Sequence, residues 1–185
     1  GTAEGGTGVV ISFDDEPDGE GGGPGGGGPD EWRSTFRLTG VTVDGAGQGQ
    51  TNLVGTVSFA GLASAATLSG MSLYDPDYIA TGTRYGNDGV TVDDGYATLN
   101  DVGLYDYNYA VYAVGADRVV LDTVTLGYNW YGVVSEGSTD VTMYNSLVGS
   151  NAAGGVALSG DVGATILHND FIGNAFAATS AYLVG

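Results

Sequence analysis

Three consecutive stretches of the chain share one pattern: VVLDTVTLGYNWYGVV at residues 119–134, VTMYNSLVGSNAAGGV at 141–156 and ATILHNDFIGNAFAAT at 164–179. Each contains an apolar-x-x-apolar-x-apolar core, whose middle position becomes polar in the last two stretches. The first core positions, Leu121, Met143 and Ile166, are 22 and 23 residues apart. A period near 22 residues indicates a solenoid, in which each repeat packs on its neighbours.

The same core can be traced towards the N-terminus, where the intervals are longer. Over the whole chain the first core positions are 30, 31, 22, 22 and 23 residues apart, so the first two intervals carry extra residues. The six windows are Leu38-Val41-Val43, Leu68-Met71-Leu73, Leu99-Val102-Leu104, Leu121-Val124-Leu126, Met143-Ser146-Val148 and Ile166-Asn169-Phe171.

The composition of the repeats predicts β-strands. Segments such as Asp122–Leu126 alternate with period two and are rich in β-branched residues. A turn carries Asn129, Asn151 and Asn174, and stacked asparagines can bond their side-chain amides to the next rung. No repeat has about ten helix-favouring residues in a row, which excludes helical repeats. A second short strand is expected in each repeat, around residues 109–113, 131–135 and 155–158.

This repeat unit resembles the right-handed β-helix repeats of pectate-lyase-like and carbohydrate-binding NosD-like proteins. The resemblance covers residues 34–185 and implies an all-β fold, a single-stranded right-handed parallel β-helix (β-solenoid) of about six short rungs. It implies little about activity, because this superfold hosts lyases, hydrolases, virion spikes and surface proteins.

Residues 1–33 are predicted to form an N-terminal extension. The apolar residues Val9, Val10, Ile11 and Phe13 predict a strand, and the tract GEGGGPGGGGP at residues 19–29 predicts a flexible linker.

The charge balance excludes several classes of partner. The chain has 22 acidic residues, four arginines and no lysine, which gives a net charge of −18. Nucleic acids and anionic membrane surfaces require basic footprints, so neither is expected as a partner. No apolar stretch reaches the roughly 18 residues of a membrane helix, so membrane insertion is not expected. The acidic, lysine-free composition resembles that of proteins from extreme halophiles.

No catalytic set is predicted. Lyases that share the resembled fold use a Lys or Arg base and its hydrolases use a carboxylate pair, whereas this chain lacks Lys and its pair Asp93-Asp94 predicts a turn. His168 is the only histidine and is expected on an outward-facing strand position. Arg118 is expected to form a solvated ion pair with Asp117.

No cofactor is expected, with one possible exception. Asp75, Asp77 and Asp88, together with Asn87, supply the oxygen ligands that Ca²⁺ prefers. The alternative is a solvated acidic loop.

Tyr109, Tyr131 and Trp130 predict an aromatic face, since Tyr109 and Tyr131 are 22 residues apart. Such a column suits sugar stacking, with glycans as partners, or a protein interface. The alternative is a set of partly buried rings that stack along the coil.

The C-terminal rung is the second candidate surface. No charged side chain follows Asp170, although the end of a monomeric solenoid is normally polar. A cover could come from the N-terminal strand or from a second copy of the chain. The residues expected to contribute are Phe176, Tyr182, Leu183 and Val184.

Together these features favour an extracellular structural subunit that assembles with itself into a surface filament or appendage and is not an enzyme. The chain begins with Gly1 instead of Met, and removal of a secretory signal is one explanation. The alternatives are a carbohydrate-binding module or virion spike, and a degenerate polysaccharide lyase.

Overall fold

Parallel β-strands build the described part of the chain. The computed structural model describes residues 35–38, 42–60, 65–138, 140–160 and 163–180, all within the unit Glu31–Gly185. The strands wind into a right-handed parallel β-solenoid of about five turns. The predicted fold class is therefore confirmed, whereas the predicted N-terminal strand and Gly/Pro-rich linker lie outside the described residues.

The strands stack into two sheets, and every pairing in both sheets is parallel. The first sheet contains, in this order, β1 Thr35–Leu38, β4 Thr56–Ala60, β6 Val90–Asp93, β8 Tyr109–Val114, β11 Tyr131–Glu136, β14 Gly154–Ser159 and β17 Ala178–Ser180. The second sheet contains β2 Thr42–Asp44, β3 Asn52–Val54, β5 Ala65–Tyr74, β7 Tyr96–Tyr105, β9 Arg118–Asp122, β10 Thr125–Gly127, β12 Asp140–Tyr144, β13 Leu147–Gly149, β15 Gly163–Leu167 and β16 Asp170–Ile172.

The repeated apolar positions face the interior and stack in register. The first core positions pair from Leu68 through Leu99, Leu121 and Met143 to Ile166. A parallel column runs from Leu73 through Leu104, Leu126 and Val148 to Phe171. The inner members of both columns are almost completely buried. Because inward and outward residues alternate along each strand, one column per core position lines the inside of the coil.

The first predicted window is out of register. Val43 pairs with Leu68, and Leu53 pairs with Leu73, so these two residues occupy the first and third core positions of that rung. Leu38 lies instead in β1 of the first sheet, opposite Phe59. The loop between β2 and β3 separates two core positions that are adjacent in the other rungs, which is why a fixed spacing missed them.

Left-handed backbone marks the bend within the second sheet. Gly70, Asp101, Thr123, Asn145 and His168 all have φ between 53° and 64°. The prediction for His168 was therefore wrong in part: its side chain is exposed, but it follows β15 in a bend and does not lie on a strand. A left-handed conformation costs a non-glycine residue about 1–2 kcal/mol, and the bend recurs because the stacked rungs impose it.

Buried asparagines connect successive rungs at the predicted turn. Asn151 Oδ1 accepts a hydrogen bond from the Asn129 amide at 2.9 Å, and Asn174 Oδ1 accepts one from the Asn151 amide at 3.0 Å. Their side-chain amides donate to carbonyl groups of earlier rungs, as in the 3.1 Å bond from Asn151 Nδ2 to the Leu126 oxygen. Each asparagine thus satisfies backbone groups that the turn would otherwise leave buried without partners.

A second polar ladder, which the sequence pattern did not predict, lies at the bend. Asn169 Oδ1 accepts from the Ser146 amide at 2.9 Å, and Ser146 Oγ accepts from the Val124 amide at 3.1 Å. This explains why the middle core position becomes polar in the last two windows.

Candidate functional site

The predicted aromatic face divides into two groups. The Tyr109 and Tyr131 ring centroids are 5.9 Å apart on the outside of the first sheet. Phe176 continues this column, 5.8 Å from Tyr131. Trp130 lies apart from the column and contacts Tyr85, with 5.4 Å between ring centroids.

Phe176 can join the column because the rung after Tyr131 has a glycine at the equivalent position. Gly154 pairs with Tyr131 in the sheet, and a Cβ on Gly154 would collide with the Phe176 ring. Phe176, predicted as an assembly residue, therefore packs within its own chain. Both contacts in the column are edge-to-face, which is a favourable geometry for aromatic pairs.

An open groove of about 320 Å³ adjoins the aromatic column. The carboxylate in the groove belongs to Glu136, which accepts a hydrogen bond from the Tyr112 hydroxyl at 3.2 Å. Burial, and next the nearby Glu136 carboxylate, raise the pKa of Tyr112. The groove is lined by Tyr109, Tyr131, Val134, Glu136, Ala157, Leu158 and Ser159.

A second cavity, of about 260 Å³, lies beside the insertion that links β5 to β6. The insertion contains helix α1 Pro76–Thr81. We call this cavity the tyrosine cage, because four of its six lining residues are tyrosines. It is lined by Tyr74, Tyr78, Arg84, Tyr105, Asp106 and Tyr128.

Arg84 and Asp106 are the charged residues of the tyrosine cage. Arg84 Nε lies 3.2 Å from Asp106 Oδ1, which is within ion-pair distance. The guanidinium is not aligned as a hydrogen-bond donor to this atom, and Oδ1 is buried without a hydrogen-bond partner in the described chain. Burial raises the pKa of the Asp106 carboxyl, with Arg84 opposing the shift.

Two aromatic rings lie beside the Arg84 guanidinium. Its Cζ atom lies 5.0 Å from the centroid of Tyr78 and 6.0 Å from that of Tyr128. The hydrogen bond to the Tyr78 hydroxyl is the main cause of a raised Arg84 pKa. Tyr74 and Tyr105 stack on each other at 5.2 Å to form the remaining wall.

The sequence pattern did not predict the tyrosine cage. Tyr105 and Tyr128 belong to regular rungs, but Tyr78 and Arg84 come from the insertion, whose position is independent of the period. The feature of the sequence that pointed to this region was the 31-residue interval between Leu68 and Leu99. This interval indicates an insertion but not which residues the insertion contacts.

The carboxylates considered for calcium bind protein donors. Asp75 caps α1 and accepts from the amides of Asp77 at 2.7 Å and Asn87 at 3.1 Å. Asp77 accepts from Asn87 Nδ2 at 3.1 Å, and Asp88 accepts from the Tyr109 amide at 3.2 Å. Across the described ranges, no group of three His, Cys, Asp or Glu residues is placed to hold a metal. The calcium site stays a prediction.

The carboxylate pair considered for catalysis lies at the end of a strand. Asp93 ends β6 and Asp94 turns the chain with φ of 55°. Arg118 forms an exposed ion pair as predicted, but its partner is Asp140 and not Asp117: its Nε lies 3.2 Å from Asp140 Oδ2. Asp140 precedes the residue that pairs with Val119, so stacking of neighbouring rungs brings it beside Arg118.

The last described rung of the second sheet carries exposed apolar side chains. Leu167 is 55% exposed and Ile172 is 60% exposed, and Leu147 on the preceding rung is also exposed. The core residues of this rung, Ile166 and Phe171, are only partly buried. Val9, Val10, Ile11, Phe13, Tyr182, Leu183 and Val184 lie outside the described residues.

Comparisons with known proteins identify the fold family. No helix among the described residues is long and apolar enough to cross a membrane. No curated protein and no solved structure matches the chain. A family model described as right handed beta helix region matches residues 34–183, the same part of the chain that carries the repeats. The chain therefore belongs to the right-handed β-helix family.

Proposed function

We propose that the chain is a structural subunit of an extracellular assembly and binds further copies of itself through its C-terminal rung. The observation that carries this proposal is the exposure of Leu167 and Ile172 on the last described rung. Large apolar side chains that cluster on a surface usually mark an interaction site. From residue 171 onward the sequence supplies no charged side chain that would oppose such a contact.

A second copy suits this surface because the solenoid has the same parallel geometry at both edges. Among the described strands, β15 and β16 pair on one side only, and so do β1, β2 and β3. Unpaired strand edges are templates for further pairing. A head-to-tail contact of this kind joins two different surfaces of successive copies. When the rotation from one copy to the next does not close a ring, the copies form a filament.

The acidic charge determines the conditions under which assembly is expected. Copies with a net charge of −18 repel each other. The Debye length falls from about 10 Å at 0.1 M salt to about 3 Å at 1 M. Assembly should therefore strengthen as salt rises.

The test compares a double variant of this rung with a single control variant on α1. Leu167→Asp combined with Ile172→Asp should abolish polymers seen by electron microscopy and sedimentation in high salt. Ile79→Asp is the control, because Ile79 is 57% exposed but lies on α1. If the double variant polymerises as the wild type does, the proposed contact is wrong.

The N-terminal strand offers another route to assembly, through donation to a neighbouring copy. Deletion of residues 1–31 should abolish polymers if donation is required and should leave them intact if the rung contact suffices. Protease treatment of intact cells tests the extracellular location, since a surface assembly should be cleaved without lysis.

Glycan binding is the second candidate, and the aromatic column beside the 320 Å³ groove favours it. Tyrosine rings provide apolar faces and hydroxyls for a sugar, and Glu136 provides an acceptor. Tyr109→Ala combined with Tyr131→Ala should abolish binding on a glycan array. Tyr96→Ala is the control, because Tyr96 is exposed on the second sheet. Glycan binding that survives the double variant would contradict this assignment.

A further inference from the structure

The tyrosine cage already stabilises a cation in this structure. The Arg84 guanidinium faces two rings, Tyr78 and Tyr128, at distances typical of cation–π contacts. The electron-rich faces of tyrosine rings attract positive charge. Burial raises the pKa of Tyr105, so this wall of the cage is neutral at ordinary pH.

Asp106 supplies the carboxyl group of the cage. The residue is 7% exposed, and its Oδ1 atom is buried without an aligned hydrogen-bond donor in the described chain. Its ion pair with Arg84 lacks an aligned hydrogen bond, although Arg84 Nε lies only 3.2 Å from Oδ1. A nearby positive charge stabilises the ionised form of a buried carboxylate.

Arg84 does not fill the cage. About 260 Å³ remains open beside it, which is slightly less than the volume of typical pockets for drug-sized ligands. The Arg84 side chain is 42% exposed and belongs to the insertion, so it can turn outward without disturbing a rung.

We propose that the tyrosine cage binds a small quaternary ammonium cation, such as a trimethylammonium group, beside or in place of the Arg84 guanidinium. The ring faces contact the methyl groups and Asp106 neutralises the charge. A primary ammonium suits the cage less well, because it is strongly hydrated and needs acceptors for three N–H groups. A quaternary ammonium has no N–H group and needs none of these acceptors.

The two charged residues then have opposite effects on affinity. Arg84 competes for the same rings, so its removal should strengthen binding. Asp106 supplies the attraction, so Asp106→Asn should weaken binding while preserving the shape of the side chain. We expect a change of about tenfold in each direction, which corresponds to about 1.4 kcal/mol.

Titration calorimetry with choline chloride at constant ionic strength tests the proposal. The uncharged analogue 3,3-dimethylbutan-1-ol has the same shape and separates charge from size. We expect choline to bind Arg84→Ala about tenfold more tightly than the wild type and Asp106→Asn about tenfold more weakly. Arg118→Ala is the matched control, since this exposed arginine pairs with Asp140 away from the cage, and its affinity should equal that of the wild type.

Circular dichroism of each variant establishes that the β-fold is retained. Absence of saturable choline binding by folded Arg84→Ala would overturn the proposal. Equal affinity for choline and its uncharged analogue would also overturn it, because the cavity would then recognise shape alone.

Discussion

Replacement of Asn151 by alanine tests whether the buried asparagine column holds the rungs together. Asn151 is almost fully buried. Its Oδ1 accepts from the Asn129 amide at 2.9 Å, and its Nδ2 donates to the Leu126 carbonyl at 3.1 Å. Asn151→Ala removes both bonds, and also the 2.8 Å bond from Nδ2 to Asn174 Oδ1. The alanine methyl can neither donate nor accept a hydrogen bond, so the two backbone groups lose these partners.

The expected cost follows from these two groups. Each buried polar group left without a partner costs about 1–3 kcal/mol, so the free energy of unfolding should fall by about 2–6 kcal/mol. Asn100→Ala is the control, because Asn100 is exposed on β7, and such surface changes usually stay within about 0.5 kcal/mol.

Urea unfolding followed by circular dichroism measures the total loss at fixed salt. Because stability in solenoids is distributed over neighbouring repeats, amide hydrogen exchange provides the local measurement, and the Asn129 amide should lose protection first. A loss below about 1 kcal/mol, with unchanged protection of the Asn129 amide, would refute the role assigned to the column.

Three further predictions follow from particular contacts. Gly132→Ala should lower stability by about 1–3 kcal/mol in urea unfolding, because its Cβ would lie 2.5 Å from the Gly155 oxygen, whereas Gly149→Ala meets its nearest atom at 3.4 Å and should cost less. Burial raises the pKa of Asp106 in the folded chain above its ordinary value of 3.8. As pH rises, this carboxyl therefore loses its proton at a lower pH in the unfolded chain than in the folded chain. The wild type should therefore lose stability relative to Asp106→Asn from pH 3.8 up to the raised folded pKa, and parallel urea midpoints for the two proteins would contradict this. Arg118→Ala should change stability by less than about 1 kcal/mol, since the Arg118–Asp140 pair is exposed; a larger effect that persists in high salt would contradict a screened ion pair.

The regular rungs could be predicted from the sequence because local and non-local signals agree there. Leu99, Leu121 and Met143 recur at one spacing, and each is buried in the column that this spacing predicted. The first window failed where the spacing changes, since the loop after β2 places Leu53, and not a residue near Val43, at the third core position.

The tyrosine cage depends on contacts between rungs and an insertion. Tyr128 and Arg84 are far apart in sequence, and they meet only because the coil returns to the same corner after each turn. The same applies to Arg118, which pairs with a residue of the next rung and not with its sequence neighbour.

By itself the sequence determined that the chain is a β-solenoid and which side chains line the interior of its regular rungs. Every turn of the coil must bury apolar residues at the same positions, so these residues recur with a fixed period. Only the tertiary structure decided which outward side chains become neighbours. Outward positions carry no such requirement, so Phe176 beside Tyr131 and Arg84 among the tyrosines leave no period in the sequence. The fold could therefore be predicted from spacings of about 22 residues, whereas the candidate sites could be identified only from the stacked rungs of the structure.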